Sequence, residues 1–311
     1  MFSSQITDAF VQQFNATLFH LSQQKGSRLM NAVRKESQKG KSQFFDRLGK
    51  VTAQKKVSRH GDTPLIDTPH SRRRVTLVDY EHADLVDNAD KIRMLIDPTS
   101  DYAQSFVWAF GRAKDDEIVL AADGLAYAGE EGATPVSHPN SQKLVSVSGG
   151  AGANLNVQAL RRAKQKFDAN DVDESIRRYI AITSSQLQSL LSQTEVTSAD
   201  FNTVRALVMG ELDTFLGFKF IRTERLATQS GALVFDVTTG AVGAGAGDAN
   251  GYRKVIAWAE DGLLLSSGMD IMTRIQERAD KSFSTQVFAA MGVGSTRLEE
   301  EKVVMIMCNE A

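Results

Sequence analysis

The sequence predicts an α+β fold on three observations: one unusually long helical segment, a second half that mixes short helices with strands, and a basic N-terminal quarter carrying a long loop. The helix is the strongest of the three. Asp97 can cap it, Pro98 suits the first helical position with its fixed φ and missing N–H, and Gly124 can end it in a left-handed conformation. These limits enclose about 26 residues, roughly 39 Å at 1.5 Å per residue, well beyond the usual globular helix.

From the N-terminus, Ile6, Phe10, Phe14, Leu18 and Leu21 recur at three- and four-residue steps, so residues 3 to 23 read as a short amphipathic helix. A polar, basic arm follows. Residues 44 to 57 and 73 to 86 read as two extended strands, the second alternating at Val75, Leu77 and then Tyr80. The intervening SRHGDTPLIDTPHS, restricted by Pro64 and Pro69, is too long for a tight hairpin and reads as a protruding loop, normally an interaction device.

The long helix has one apolar face of Tyr102, Phe106, Ala109, Phe110, Ala113, Leu120 and Ala121, opposite Arg112, Asp115 and Asp116. A second stripe of Val107, Ile118 and Ala122, with Trp108 and Val119 elsewhere, requires cover on more than one side. Glu117 interrupts the main face and needs a partner there. Beyond the helix, 126 to 141 reads as a loop, 144 to 147 as a short strand, and 155 to 167 as a helix with Val157, Leu160 and Ala163 on one side. Residues 178 to 183 form a buried strand, followed by helices at 184 to 191 and from Ser198 or Asp200 to about Met209. Strands are expected at 218 to 221, 232 to 237, 254 to 259 and 263 to 266, and extended pieces at 271 to 275, 286 to 290 and 302 to 307.

The 311 residues, 42% of them hydrophobic, suffice for one large or two medium domains with a sizeable core. The longest apolar runs fall far short of the roughly 20 residues needed to span a bilayer. No basic n-region precedes an apolar h-region at the N-terminus, and the lone Cys308 excludes an intramolecular disulfide framework and suits a reducing cytoplasm. The net charge of −2 conceals an uneven distribution. Residues 1 to 78 hold 14 Lys or Arg against 5 Asp or Glu, a balance of +9, and the rest carries −11. Such a basic segment lies on nucleic acid or on an acidic partner, or is simply solvated. Few aromatics interleave with it beyond Phe44 and Phe45, which argues against base stacking.

Enzymatic signals are weak. AVGAGAGDANG offers a GxG at Gly243 and Gly245, but Asp248 stands where a third glycine belongs and YRKVIAWA is β-like, so the dinucleotide-binding context is missing. There is no GxxxxGK[ST], HExxH or CxxC. His20, His60, His70, His82 and His138 are scattered, and the run Asp79, Glu81, Asp84, Asp87 and Asp90 reads as solvation rather than a cation site. Ser230 and Cys308 have no nucleophile elbow or nearby histidine. No catalytic residue, metal or cofactor is indicated.

Several stretches carry a resemblance. DPTSDYAQSFVWAFGRAKDDEIVLAADG, with its RAKDDEI, is similar to the spine helix of the HK97-like major capsid proteins of tailed bacteriophages. RRYIAITSSQLQSLL resembles the strand and helix opening that family's apical domain, and GELDTFLGFKFIRTERL resembles its helix, Gly217-Phe218 turn and strand. RADKSFSTQVFAAMGVGSTRLEEEKVVMIMC is similar to the closing strands, with Ser295-Thr296-Arg297 before the final hydrophobic strand. The order of these stretches, over most of the chain, carries the resemblance more than any single motif.

The resemblance implies a shell subunit. On it, residues 1–45 are an N-terminal arm, 46–85 an E-loop reaching over neighbours, 86–166 and 280–311 a peripheral domain containing the spine helix, and 167–279 an apical α/β domain. It further implies self-assembly into hexamers and pentamers of an icosahedral shell around double-stranded DNA, with assembly in the host cytoplasm and no membrane. The implied partners are a portal, a separate scaffolding protein in the absence of a long helical N-terminal extension, and a decoration protein. Lys50, Lys55 and Lys56 lie in the loop, but no partner asparagine is assignable, so the shell is expected to be noncovalent. The inter-subunit or DNA-facing candidates are Arg28, Arg34, Lys35, Lys39, Lys41, Lys55, Lys56, Arg59, Arg72, Arg73 and Arg74. Phosphate contact by these groups would be nonspecific and salt-sensitive. Two other readings remain open at this level: an encapsulin-like shell around protein cargo, and a basic-armed nucleic-acid-binding protein that forms no shell.

Overall fold

A computed structural model describes residues 22–56, 58–59, 65–87, 99–193, 214–243 and 245–310. The helix expected at 3 to 23 except for its last two residues, which are not helical, the helix expected near 200 to 209, the caps Asp97 and Pro98, and part of the loop tip lie outside the described residues. The N-terminal strands are β1 (Arg34–Ser37), β2 (Ser42–Leu48), β3 (His70–Thr76) and β4 (Val78–Val86). The long helix, α1, is Thr99–Asp123. Short strands β5 (Ala126–Ala128), β6 (Thr134–Val136), β7 (Lys143–Val145), β8 (Val147–Ser148) and β9 (Ala151–Gly152) lead into α2 (Val157–Ala169). Then come β10 (Arg178–Ile182), α3 (Ser184–Leu191), β11 (Thr214–Phe215), β12 (Phe218–Arg222), β13 (Val234–Phe235) and β14 (Gly247–Asp248). The described chain closes with β15 (Arg253–Ala259), β16 (Leu263–Arg278), β17 (Ser284–Arg297) and β18 (Val303–Cys308).

Local chemistry accounts for the shorter helices. Asn156 caps α2 by accepting from the Ala159 N–H at 2.7 Å, and Val157, Leu160, Ala163 and Phe167 are buried along one face. Thr183 and Gln186 form a reciprocal capping box at the start of α3. Both helices match the sequence reading closely.

Three sheets organise the rest. A six-stranded sheet runs β11-β12-β10-β15-β18-β7, and its inner strands β10 and β18 are buried along their whole length. A four-stranded sheet runs β1-β16-β17-β4, with α1 packed across β17 and β16. A second four-stranded sheet, β2-β3-β5-β6, carries the stranded sides of the projecting loop. Sheet membership crosses the sequence divisions near 166 and 280. β7 and β18 join the sheet of β10 and β15, whereas β16 pairs along its length with β17.

Several sequence expectations are corrected. The strand expected over 73 to 86 is two strands that part at Leu77: β3 pairs with β2, and β4 pairs with β17. The first loop strand ends at Leu48, and residues 49–56 join no ladder. The pieces at 263 to 266 and 271 to 275 are one 16-residue strand whose distal half is mostly exposed, and whose ladder shifts register between Ser267 and Met272. Exposure on both faces there removes the alternation that a sequence reading needs.

On α1 the buried positions are Phe106, Phe110, Gly111, Lys114, Asp115, Ile118, Val119 and Ala122, while Leu120, placed on the apolar face by sequence, is 62% exposed. Gly124 does not end the helix in a left-handed conformation. Its N–H still bonds the Leu120 carbonyl at 2.7 Å, and a Cβ there would meet that oxygen at 2.6 Å.

Candidate functional site

Three constellations tie the projecting parts to the body. The first holds the arm. Asp115, fully buried on α1, accepts from Gln24 Nε2 and Ser27 Oγ at 2.5 Å and from the backbone N–H groups of Arg28 and Leu29 at 3.0 Å. A carboxylate holding two main-chain donors acts as a cap for the turn at 27–32. Beside it, Gly111 lets the arm lie directly on the helix, since a Cβ there would stand 2.5 Å from Gly26, itself at φ 79°. Lys25 lies over the Trp108 ring at 5.3 Å, Trp258 Nε1 donates to the Ala32 carbonyl at 2.7 Å, and β1 pairs in parallel with β16.

The second constellation closes the C-terminal end of α1. Arg297, fully buried, donates to the carbonyls of Ala122 at 2.9 Å, Gly124 at 3.1 Å and Val136 at 3.2 Å. A guanidinium suits this negative helix end, where the last carbonyls have no partner within the helix. Burial lowers the Arg297 pKa, with Glu300 opposing that shift. Asp123 accepts from Lys254 Nζ at 2.5 Å and lies 3.4 Å from Lys143 Nζ, which links the helix end to β15 and β7. Burial works against this carboxylate, but the Lys254 hydrogen bond and the two ammonium charges outweigh it and hold its pKa below the usual value. His138 lies nearby, with Nε2 3.1 Å from the Val303 carbonyl, and burial followed by the Arg297 charge pulls its pKa down to about 4.

The third constellation roots the loop. Glu300 pairs with Arg73 and lies 3.7 Å from both Arg47 and Arg297, so one carboxylate gathers β2, β3 and the helix cap. Arg47 and Arg73 also donate to the Leu298 carbonyl. Elsewhere, the Tyr80 hydroxyl donates to Glu117, the partner that this carboxylate required, and burial together with that carboxylate raises the Tyr80 pKa.

The eleven sequence-selected cations are not brought to one place. Arg28 donates from Nη1 to the Arg222 carbonyl at 2.7 Å, Arg34 forms a 2.8 Å ion pair with Glu36, and Lys35 donates to Asn31 at 2.8 Å. Lys39, Lys41, Lys55, Lys56 and Arg59 are exposed. Arg72 pairs with Asp46 at 2.6 Å, and Arg74 lies over the Tyr127 ring at 5.0 Å. Arg73 is only 2% exposed and serves the loop root instead of a surface. Sequence reasoning missed Asp115, Glu300 and Asp123, whose partners lie far away along the chain. The signal for Arg73 was present, because strand alternation turns it opposite to Arg72 and Arg74. Among the described residues, no group of three or more His, Cys, Asp or Glu side chains is placed to hold a metal ion.

The arrangement is one of struts, anchors and unburied projections. A family model for phage capsid proteins matches residues 6–310. The chain belongs to the phage capsid protein family. Its fold is HK97-like, and its role is that of a structural major capsid protein of the virion shell. This capsid protein is similar in structure to the capsid of cyanophage P-SCSP1u, with a TM-score of 0.74 at 15% identity, over 98% of this chain and 95% of the other. Similarity to the head of Helicobacter pylori bacteriophage KHP40 spans 100% of both chains at 12% identity and a TM-score of 0.71. The cyanophage Pam1 capsid gives 0.69 at 13% identity over 98% of each chain. No curated protein matches this capsid protein at the level of sequence. The encapsulin-like reading and the reading as a nucleic-acid binder without a shell are not favoured by these relationships.

Proposed function

We propose that copies of this chain assemble into the hexamers and pentamers of an icosahedral shell that encloses double-stranded DNA, held by noncovalent contacts and built in the host cytoplasm. The observation that carries this reading is the uncovered apolar surface of the projecting loop. Leu65 is 97% exposed, Leu48 70% and Val51 51%, with no core of their own to enter. Other copies supply the cover, and many weak contacts then add by multivalency. In this reading 1–45 is the arm, 46–85 the loop, 86–166 with 280–311 the peripheral domain, and 167–279 the apical domain. The pairing of β16 with β17 and of β18 with β15 supports exchanging those two strands between the last two domains. A separate scaffolding protein and a portal complete the particle, and the exposed lysines of the arm give salt-sensitive contacts to packaged DNA. Electron microscopy of the protein expressed with its scaffold tests the reading. Closed shells of uniform diameter are expected, and a persistent compact monomer would overturn it.

A further inference from the structure

Asn250 and Gly251 make the one Asn-Gly pair in the sequence, and both residues are exposed. A glycine presents its backbone nitrogen with no side chain in the way, so this asparagine is the one most open to attack by the nitrogen that follows it. The fold opposes that attack. The Tyr252 N–H donates to the Ala249 carbonyl at 3.2 Å and Gly251 has φ 80°, which makes 249–252 a type II turn with Asn250 and Gly251 at its centre. In such a turn the Gly251 nitrogen is directed away from the Asn250 side chain, and the peptide unit between them must rotate before the two can meet.

Three more hydrogen bonds hold the turn. The Gly251 N–H donates to the Gln229 carbonyl at 2.8 Å, Asn250 Oδ1 accepts from the Gly231 N–H at 3.1 Å, and the Asn250 N–H donates to Asp248 Oδ1 at 3.0 Å. Two of the three come from residues 229–231. That segment is exposed or half-buried and joins no strand, so it belongs to the parts of a fold that open at little cost.

We propose that Asn250 is a spontaneous modification site of this chain, and that opening of the 229–231 segment sets its rate. In the open form the Gly251 nitrogen attacks Asn250 Cγ. The N–Cγ bond forms, the Cγ–Nδ2 bond breaks, and Nδ2 leaves as ammonia with the Gly251 amide proton. Solvent water then adds to either carbonyl of the imide ring and opens it, leaving aspartate or isoaspartate. Aspartate still accepts from the Gly231 N–H, so the turn closes again. Isoaspartate lengthens the backbone by a methylene and cannot rebuild the turn. The two Asp-Gly pairs, at Asp123 and Asp261, are poorer sites, because lysines hold both carboxylates as anions at 2.5 and 2.6 Å. The competing explanation is that Asn-Gly serves the turn alone. The inference rests on the fold and not on the shell reading.

The experiment follows the full chain as the unassembled subunit, at mildly alkaline pH, folded and in urea. Peptide mass spectrometry reads conversion at Asn250, and chromatography separates aspartate from isoaspartate. In urea Asn250 should convert faster than any other asparagine. In the folded subunit it should convert at least about tenfold more slowly, the factor that two or three ordinary hydrogen bonds supply. Asp248→Ala removes one of those bonds and should speed conversion in the folded subunit about threefold or more, and Asn250→Gln should abolish it. Hydrogen exchange at the Gly251 amide needs no variant: folding should slow it by the factor by which folding slows conversion, since both await the same opening. No preference for Asn250 in urea would overturn the site. Equal rates folded and unfolded, or exchange and conversion slowed by factors more than about tenfold apart, would overturn the control by the 229–231 segment.

Discussion

Asp115→Asn tests whether one carboxylate holds the arm. Each oxygen of Asp115 takes one side-chain donor and one backbone donor: Oδ1 from Ser27 and Leu29, Oδ2 from Gln24 and Arg28. Whichever way an asparagine amide turns, its NH2 replaces one of these oxygens and faces a backbone N–H that cannot rotate away. That orphaned donor costs about 1–3 kcal/mol, and the remaining bonds lose their charge assistance. The total is about 3–5 kcal/mol, similar to breaking a buried ionic contact by removing one partner. The arm can open without unfolding the core, so the cost appears locally. At about 1.4 kcal/mol per decade, amide hydrogen exchange at Arg28 and Leu29 should accelerate on the order of 100-fold or more. Exposed Arg28 should also become a faster tryptic site. Exchange at these two amides within about threefold of the wild type would refute the reasoning, and Asp115 would then be a bystander.

Arg297→Met should lower the urea midpoint by the equivalent of about 3–5 kcal/mol, because it strands the carbonyls of Ala122, Gly124 and Val136, and Arg297→Lys should recover only part of that. His138 has a folded pKa of about 4, below its unfolded value, so the folded state holds fewer protons between the two. Its contribution to stability is therefore fully present above about pH 6.5 and lost as pH falls towards 4. His138→Gln should flatten denaturation midpoints over that window by up to about 3 kcal/mol. Cys308 is fully buried and its thiol pKa is pushed well up by burial, so iodoacetamide should label it only as fast as the protein unfolds. Rapid labelling of the folded subunit would contradict the buried position of β18.

Legibility in the sequence followed the range of the interactions. α2 and α3 were readable because caps and apolar spacing are local, as with Asn156 and Thr183. α1 was readable for its length and amphipathic character. Its true buried face was not, since Asp115 is paid for by arm residues 86 to 91 positions away. A pattern reading places such a carboxylate in water and gives its place to Leu120. The triplet at 72–74 read as one basic patch, yet alternation sends Arg73 inward to Glu300, 227 residues distant. β16 was broken into pieces because its distal half has solvent on much of both faces, whereas β17 is buried or half-buried along its whole length; neither condition imposes a period-two alternation. Family membership was legible from the order of the stretches even though these details were not.

The placement of β18 also bears on when a subunit comes into being. This strand lies between β15 and β7, and β1 waits for its partner residues 264–267. A chain leaving the ribosome at roughly 5–20 residues per second can form α1 and the hairpin of β2 and β3 early. It cannot close the six-stranded sheet until residue 308 has cleared the exit tunnel. Until then the arm and loop lack the body that positions them, so late closure of this sheet precedes the geometry from which a subunit can engage a neighbour in the assembly proposed above.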